Sequence, residues 1–139
     1  MTSLVFPGQG SQYLGMSKDF YDNFSIFRDT VDEIENISSI NIKKIIFENS
    51  NNYLNITKYT QVCIFSVSIG IYKILKNILD EKNIKINFLL GHSLGEYSAL
   101  VASDVINISD CTKLLKIRGE LMQNAFAENK SGMAAVIGL

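Results

Sequence analysis

The sequence predicts an α/β fold organised around one turn, and three neighbouring stretches carry that prediction. Asn87-Phe88-Leu89-Leu90 reads as a buried strand, Gly91-His92-Ser93-Leu94-Gly95-Glu96 as a tight turn, and Tyr97-Ser98-Ala99-Leu100-Val101-Ala102 as a helix. Strand, Gly-x-Ser-x-Gly and helix in that order form the nucleophile-elbow pattern. A side chain two residues before or after the serine would collide across the turn, and Gly91 and Gly95 remove that clash. The turn pushes the Ser93 hydroxyl into the open. It also aims the first amides of the helix at whatever Ser93 attacks, which suits a developing oxyanion. The alternative is a glycine-rich turn whose serine only caps the helix.

The 139 residues are 47% hydrophobic and 19% charged, with a net charge of -1, as in one globular domain of ordinary size. The near-neutral balance gives no reason to expect a nucleic-acid or membrane partner. The longest apolar windows are expected to fall short of the roughly 18 residues that a spanning helix requires. Met1-Thr2-Ser3-Leu4-Val5-Phe6 lacks a basic n-region and an apolar stretch of signal-peptide length, so the expected compartment is the cytoplasm. Cys63 and Cys111 lie far apart with no metal-type spacing, and Cys63, in an apolar run, is expected to be buried and reduced. No metal site is expected. The chain holds one histidine, His92.

In chain order, Leu4-Val5-Phe6 reads as the first strand. Pro7-Gly8-Gln9-Gly10-Ser11-Gln12 ends it with a loop of exposed backbone N–H groups that could line a site or simply turn. It is no P-loop, since the Gly-Lys-Ser/Thr ending is missing, and it lacks the third glycine of a dinucleotide fingerprint. Phe24, Phe27, Val31 and Ile34 recur at helical steps and predict one helix over Asp22 to Ile37. A short helix is expected over Ile42 to Glu48, followed by a loop at Asn49-Ser50-Asn51-Asn52. Thr60 to Leu79 is the longest apolar segment, buried in its first half and amphipathic in its second. Gln61 at its start is either a solvated helix-start residue or a polar group beside a buried run.

The helix after the central turn is expected to end near Ser103, and the next to run to Phe126 with Ser109 as its N-cap. Leu114, Leu121 and Met122 stand four before, three after and four after Arg118, steps that put Arg118 on an apolar face. A buried arginine cannot lose its charge and needs an anion. That anion is either internal, such as Glu96 or Glu120, or a ligand carboxylate held by the guanidinium fork; a stem that snorkels to water is the third possibility. Gly132-Met133-Ala134-Ala135-Val136-Ile137-Gly138-Leu139 reads as a strand, and its abrupt end gives the chain the look of one cut short.

Taken together, these stretches resemble malonyl-CoA:acyl carrier protein transacylases and the related acyltransferase domains of polyketide synthases. The matching blocks are Phe6-Pro7-Gly8-Gln9-Gly10-Ser11-Gln12, Thr60-Gln61, Gly91-His92-Ser93-Leu94-Gly95-Glu96-Tyr97-Ser98-Ala99-Leu100, Arg118-Gly119-Glu120-Leu121-Met122-Gln123 and the final Gly132–Leu139 run, in the family's order and at its spacing. The resemblance implies an α/β-hydrolase-like parallel sheet over residues 1–130, and the first strand of a small ferredoxin-like subdomain over 131–139. It implies that, in fatty-acid synthesis, Ser93 takes malonyl from malonyl-CoA, the substrate, and hands it to the phosphopantetheine thiol of an acyl carrier protein, with no bound cofactor. On the same grounds the backbone N–H groups of Gln9 and Leu94 form the oxyanion hole, Arg118 binds the malonyl carboxylate and Gln61 lines the site. Leu94 after the serine looks like a malonyl rather than a methylmalonyl preference. The chain departs from the family at Val62, where proline is common. It also lacks a downstream histidine as general base. His92, adjacent to the nucleophile, is expected to point away from it, so these residues alone are expected to be weak or inactive. A trans-acting acyltransferase of a polyketide synthase, a serine esterase and a non-catalytic fragment are the rival readings.

Overall fold

The computed structural model describes residues 1–49 and 51–125, with Val136 and Gly138 as isolated further positions. The expected strand over 132–139 and the expected end of the last helix at Phe126 lie outside the described residues. Two short strands, β1 (Ser3–Phe6) and β2 (Phe88–Gly91), pair in parallel, with Ser3 opposite Phe88 and Phe6 opposite Gly91. Parallel neighbours need a crossover connection. Here it is α1 (Lys18–Asn23), α2 (Ser25–Ser38), α3 (Ile42–Phe47), a single 3₁₀ turn at Tyr53–Asn55 and the long α4 (Thr57–Glu81). After β2 come α5 (Leu94–Ala102) and α6 (Ile108–Gln123). The described architecture is α/β, mostly helical, with a small parallel sheet.

The core forms around α4, against which α2, α5 and α6 pack. Every residue from Thr60 to Ser66 is buried, as the first half of that segment predicts. Phe27, Ile34, Phe65, Leu94 and Leu115 are fully enclosed. Gly70 makes the α2–α4 approach possible, since a Cβ there would stand 2.6 Å from the Phe27 ring. One expectation is corrected here. Within α4 an 18-residue window reaches a mean hydropathy of 1.6, long and apolar enough to cross a membrane. The helix is apolar because neighbours cover it on several sides, and 61% of that window is buried within the fold.

Two helix boundaries differ from the sequence expectation. The helix expected from Asp22 to Ile37 is two helices, broken at Phe24, which is extended at φ -124° and ψ 115°. Arg28 Nη1 donates to the Tyr21 and Asp22 carbonyls at 2.8 and 3.1 Å and so satisfies the end of α1. Hydrophobic period reports which residues face the core and is blind to such a break. At the start of α6 the cap is Asn107, not Ser109. Asn107 is extended (φ -78°, ψ 160°) and its side chain accepts from the Asp110 N–H at 2.8 Å, while Ser109 already lies in the first turn.

Candidate active site

Because β1 and β2 are parallel and end side by side at Phe6 and Gly91, the loop after β1 and the turn after β2 emerge at the same edge of the sheet. That carboxyl edge is where open α/β sheets bind ligands. Three glycines bring the segments into backbone contact. A Cβ on Gly91 would lie 2.0 Å from the Gly95 carbonyl carbon, one on Gly95 would lie 2.1 Å from the Phe6 carbonyl oxygen, and one on Gly8 would lie 2.6 Å from the His92 carbonyl oxygen. No side chain fits at any of the three.

Ser93 sits at φ 52° and ψ -103° between β2 and α5. An L-residue held there costs about 1–3 kcal/mol, and such strain clusters at functional sites. Gly95 N–H donates to the His92 carbonyl at 2.9 Å and Glu96 N–H to the Ser93 carbonyl at 3.1 Å. Among the described residues, the main-chain N–H groups of Leu94 and Gln9 have no hydrogen-bond partner. Ser93 occupies the N-cap position of α5 without making a side-chain capping bond. Its exposed hydroxyl accepts instead from Arg118 Nη2 at 3.1 Å, so it does not serve merely as a cap.

Arg118 is reached through close packing at its neighbour. A Cβ on Gly119 would lie 2.9 Å from Lys58 Cα, so α6 crosses the start of α4 almost backbone to backbone. The guanidinium is half-buried. Its Nη1 donates to Gln61 Oε1 at 2.7 Å, and its central carbon lies 5.3 Å from the centre of the Tyr97 ring. The helix-spacing argument misplaced its surroundings. The buried stripe of α6 is Cys111, Thr112, Leu115 and Gly119, whereas Leu114 and Leu121 are 42% and 67% exposed. Arg118 therefore lies at the margin of the core. Neither Glu96 nor Glu120 pairs with it, and no carboxylate does among the described residues. Gln61 is fully enclosed, which overturns its reading as a solvated helix-start residue. Its carboxamide accepts from Arg118 and donates to Met122 Sδ at 3.1 Å.

His92 is exposed, and its Nδ1 would stand 2.8 Å from a Cβ on Gly8, which puts the imidazole under the β1 loop. Its ring makes no hydrogen bond to Ser93 among the described residues. A further chain of bonds runs beside the site. Gln9 Nε2 donates to Thr57 Oγ1 at 3.1 Å, and Thr57 N–H donates to Gln123 Oε1 at 3.0 Å. Sequence reasoning gave Thr57, Tyr97, Met122 and Gln123 no role. Only proximity across 48 and 66 positions of chain reveals the Gln9–Thr57–Gln123 contacts. Among the described residues, no three His, Cys, Asp or Glu side chains gather as a metal-binding set.

Among the described residues this arrangement offers an exposed, strained serine, two unclaimed N–H groups on adjoining segments, and a cation bound to neutral partners. Residues 3–138 match the family described as acyl transferase domain. The chain is 40% identical over 134 residues to the malonyl CoA-acyl carrier protein transacylase of Bacillus subtilis, covering 96% of this chain and 33% of that protein. It is 42% identical over 139 residues to the polyketide biosynthesis malonyl CoA-acyl carrier protein transacylase of Bacillus subtilis strain 168, covering 100% and 45%. The crystal structure of malonyl CoA-acyl carrier protein transacylase from Clostridium perfringens superposes with a TM-score of 0.81 at 38% identity, over 92% of this chain and 39% of that one. The chain thus spans less than half the length of these relatives.

Proposed function

Since the chain belongs to the acyl transferase domain family, we propose that Ser93 is the nucleophile of a malonyl transfer from malonyl-CoA to the phosphopantetheine thiol of an acyl carrier protein. The Gly91–Glu96 turn is its nucleophile elbow. Ser93 Oγ attacks the thioester carbonyl and gives up its proton to a general base. The tetrahedral oxyanion lies against the N–H groups of Gln9 and Leu94. The C–S bond breaks, CoA leaves as its protonated thiol, and a malonyl ester remains on Ser93. The carrier thiol then repeats the sequence in reverse and frees the serine. His92 is not the base, since its ring packs against Gly8. That base is carried by residues other than those described. The described residues form the first part of an α/β-hydrolase-like subdomain. No bound cofactor takes part, and two buried free thiols fit a reducing cytoplasm.

One observation carries the substrate class. Arg118 holds a fork of donors 3.1 Å from the nucleophile, backed by the neutral Gln61 and Tyr97 and, among the described residues, paired with no carboxylate. An ion fixed beside the serine without a counter-ion is a receptor for an acyl group that ends in a carboxylate. A plain serine esterase has no use for it. Of the relatives named above, one carries polyketide biosynthesis in its name and the others name no pathway, so the choice between fatty-acid and polyketide synthesis rests with the carrier protein that accepts the group.

The test is the rate at which malonyl-CoA and acetyl-CoA acylate Ser93 in the full gene product. Arg118→Ala should cut malonyl acylation about a hundredfold or more, leave acetyl acylation within a few fold, and so erase the preference. An unchanged malonyl preference in Arg118→Ala would overturn the carboxylate role.

A further inference from the structure

The loop that offers Gln9 N–H is held from two sides. On its inner side Gly8 rests on the His92 carbonyl, too close for any side chain. On its outer side Gln9 Nε2 reaches Thr57 Oγ1 at 3.1 Å. Thr57 is itself fixed by an unusual bond. Ile56, at the N-cap of α4, offers the helix no side-chain acceptor. The Thr57 N–H is one of the amides that a helix start leaves without an internal partner, and Gln123 Oε1 of α6 takes it at 3.0 Å. Met122, the residue before Gln123, accepts from the Gln61 that orients Arg118. The last turn of α6 therefore steadies both sides of the site at once.

We propose that Thr57 and Gln123 are positioning residues that hold the Gln9 loop so that its main-chain N–H meets the developing oxyanion. The proposal rests on the reading of Ser93 as the acyl acceptor. Both ends of the relay, Gln9 and Gln123, are exposed. Exposed side-chain hydrogen bonds contribute little to folding because water competes for both partners. Their effect falls on the placement of the loop instead. An oxyanion donor acts only from within hydrogen-bond distance of where charge develops, and small displacements cost rate steeply. Gly10, at φ 107°, has nothing within 4 Å of its missing Cβ, and past it the loop is tied outward by a long bond, Gln12 Nε2 to Asn55 Oδ1 at 3.5 Å, so the Gln9–Thr57 bond is the closer restraint on Gln9.

The experiment is a double-mutant cycle in the full gene product, read as the single-turnover rate of Ser93 acylation by malonyl-CoA. Thr57→Val keeps the side-chain shape and the N–H but removes the acceptor. Gln9→Ala removes the donor but keeps the main-chain N–H. Each should slow acylation about tenfold while leaving the half-saturating malonyl-CoA concentration, the malonyl-over-acetyl preference and the melting temperature unchanged. The double variant should be no slower than either single one, and Thr57→Ser should restore the rate. Parent-like acylation in either single variant would overturn the relay, as would a double variant as slow as the product of the two. Ser93→Ala, run alongside, separates the causes. Acylation that persists there overturns the reading of the serine, and the relay with it. Acylation lost there but unmoved by Thr57→Val overturns the relay alone.

Discussion

At Ser93 the chain holds a backbone conformation that an L-residue disfavours, and three glycines on two segments make room for it. The neighbouring charge follows the same economy. Arg118 meets a neutral amide, a hydroxyl and an aromatic face, so its positive charge stays available to an incoming anion. The two thiols are the reverse case, groups kept out of chemistry by their surroundings. Burial raises Cys63 and Cys111 from an ordinary 9.0 to about 12 each. The thiolate is the reactive form, so both should resist alkylation at pH 8 in the folded protein and react at ordinary rates in urea. The sign for stability follows. A raised folded-state pKa contributes stability that is whole below about 9 and is lost as pH rises toward about 12. The midpoint of urea unfolding should therefore fall across that window, and Cys63→Ser and Cys111→Ser should flatten the fall. Rapid labelling of the native protein at pH 8 would contradict this.

Between elements, the decisive contacts are close backbone approaches at glycines. Gly119 brings α6 onto Lys58 and so carries Arg118 to Gln61. Gly70 brings α4 onto Phe27. Helix propensity alone favours Gly70→Ala by about 1 kcal/mol. The new methyl would meet a fully enclosed ring at 2.6 Å, and overpacking costs about 1–3 kcal/mol. Packing wins, and Gly70→Ala should melt a few degrees lower; a higher melting temperature would refute the α2–α4 contact. What sequence could show at this scale follows from what periodicity measures. It located β1, β2, α5 and the buried first half of α4, but β2 is not the buried strand expected: Leu89 packs with Phe6 and Ala99 on one face of the sheet, while Phe88 and Leu90 on the other face are 51% and 52% exposed. It could not show the break at Phe24, because the end of α1 is closed by Arg28, which reaches back seven residues to the Tyr21 carbonyl. It misjudged Leu114 and Leu121 because an apolar stripe was equated with a buried one. For the site, the Gly-x-Ser-x-Gly turn was legible locally, and the resemblance supplied roles for Arg118, Gln61, Gln9 and Leu94. Thr57 and Gln123 carry no local signal, since their bonds join segments 48 and 66 residues apart.

For the molecule as a whole, the parallel pairing of β1 and β2 sets the plan. It puts the Gln9 loop and the Ser93 turn on one edge, and the helices of the crossover then bring Gln61 up from α4. Arg118 comes from α6 beyond the sheet, so the site draws on four segments that are far apart in sequence. Under the proposed function, Ser93 carries an acyl group between the two halves of the transfer. The most direct measurement is to expose the full gene product to isotopically labelled malonyl-CoA, digest it, and locate the label by mass spectrometry. A malonyl ester on the peptide containing Ser93, absent in Ser93→Ala and discharged by an acyl carrier protein faster than by water, is the predicted result. A label on another residue, or one that survives in Ser93→Ala, would contradict the account.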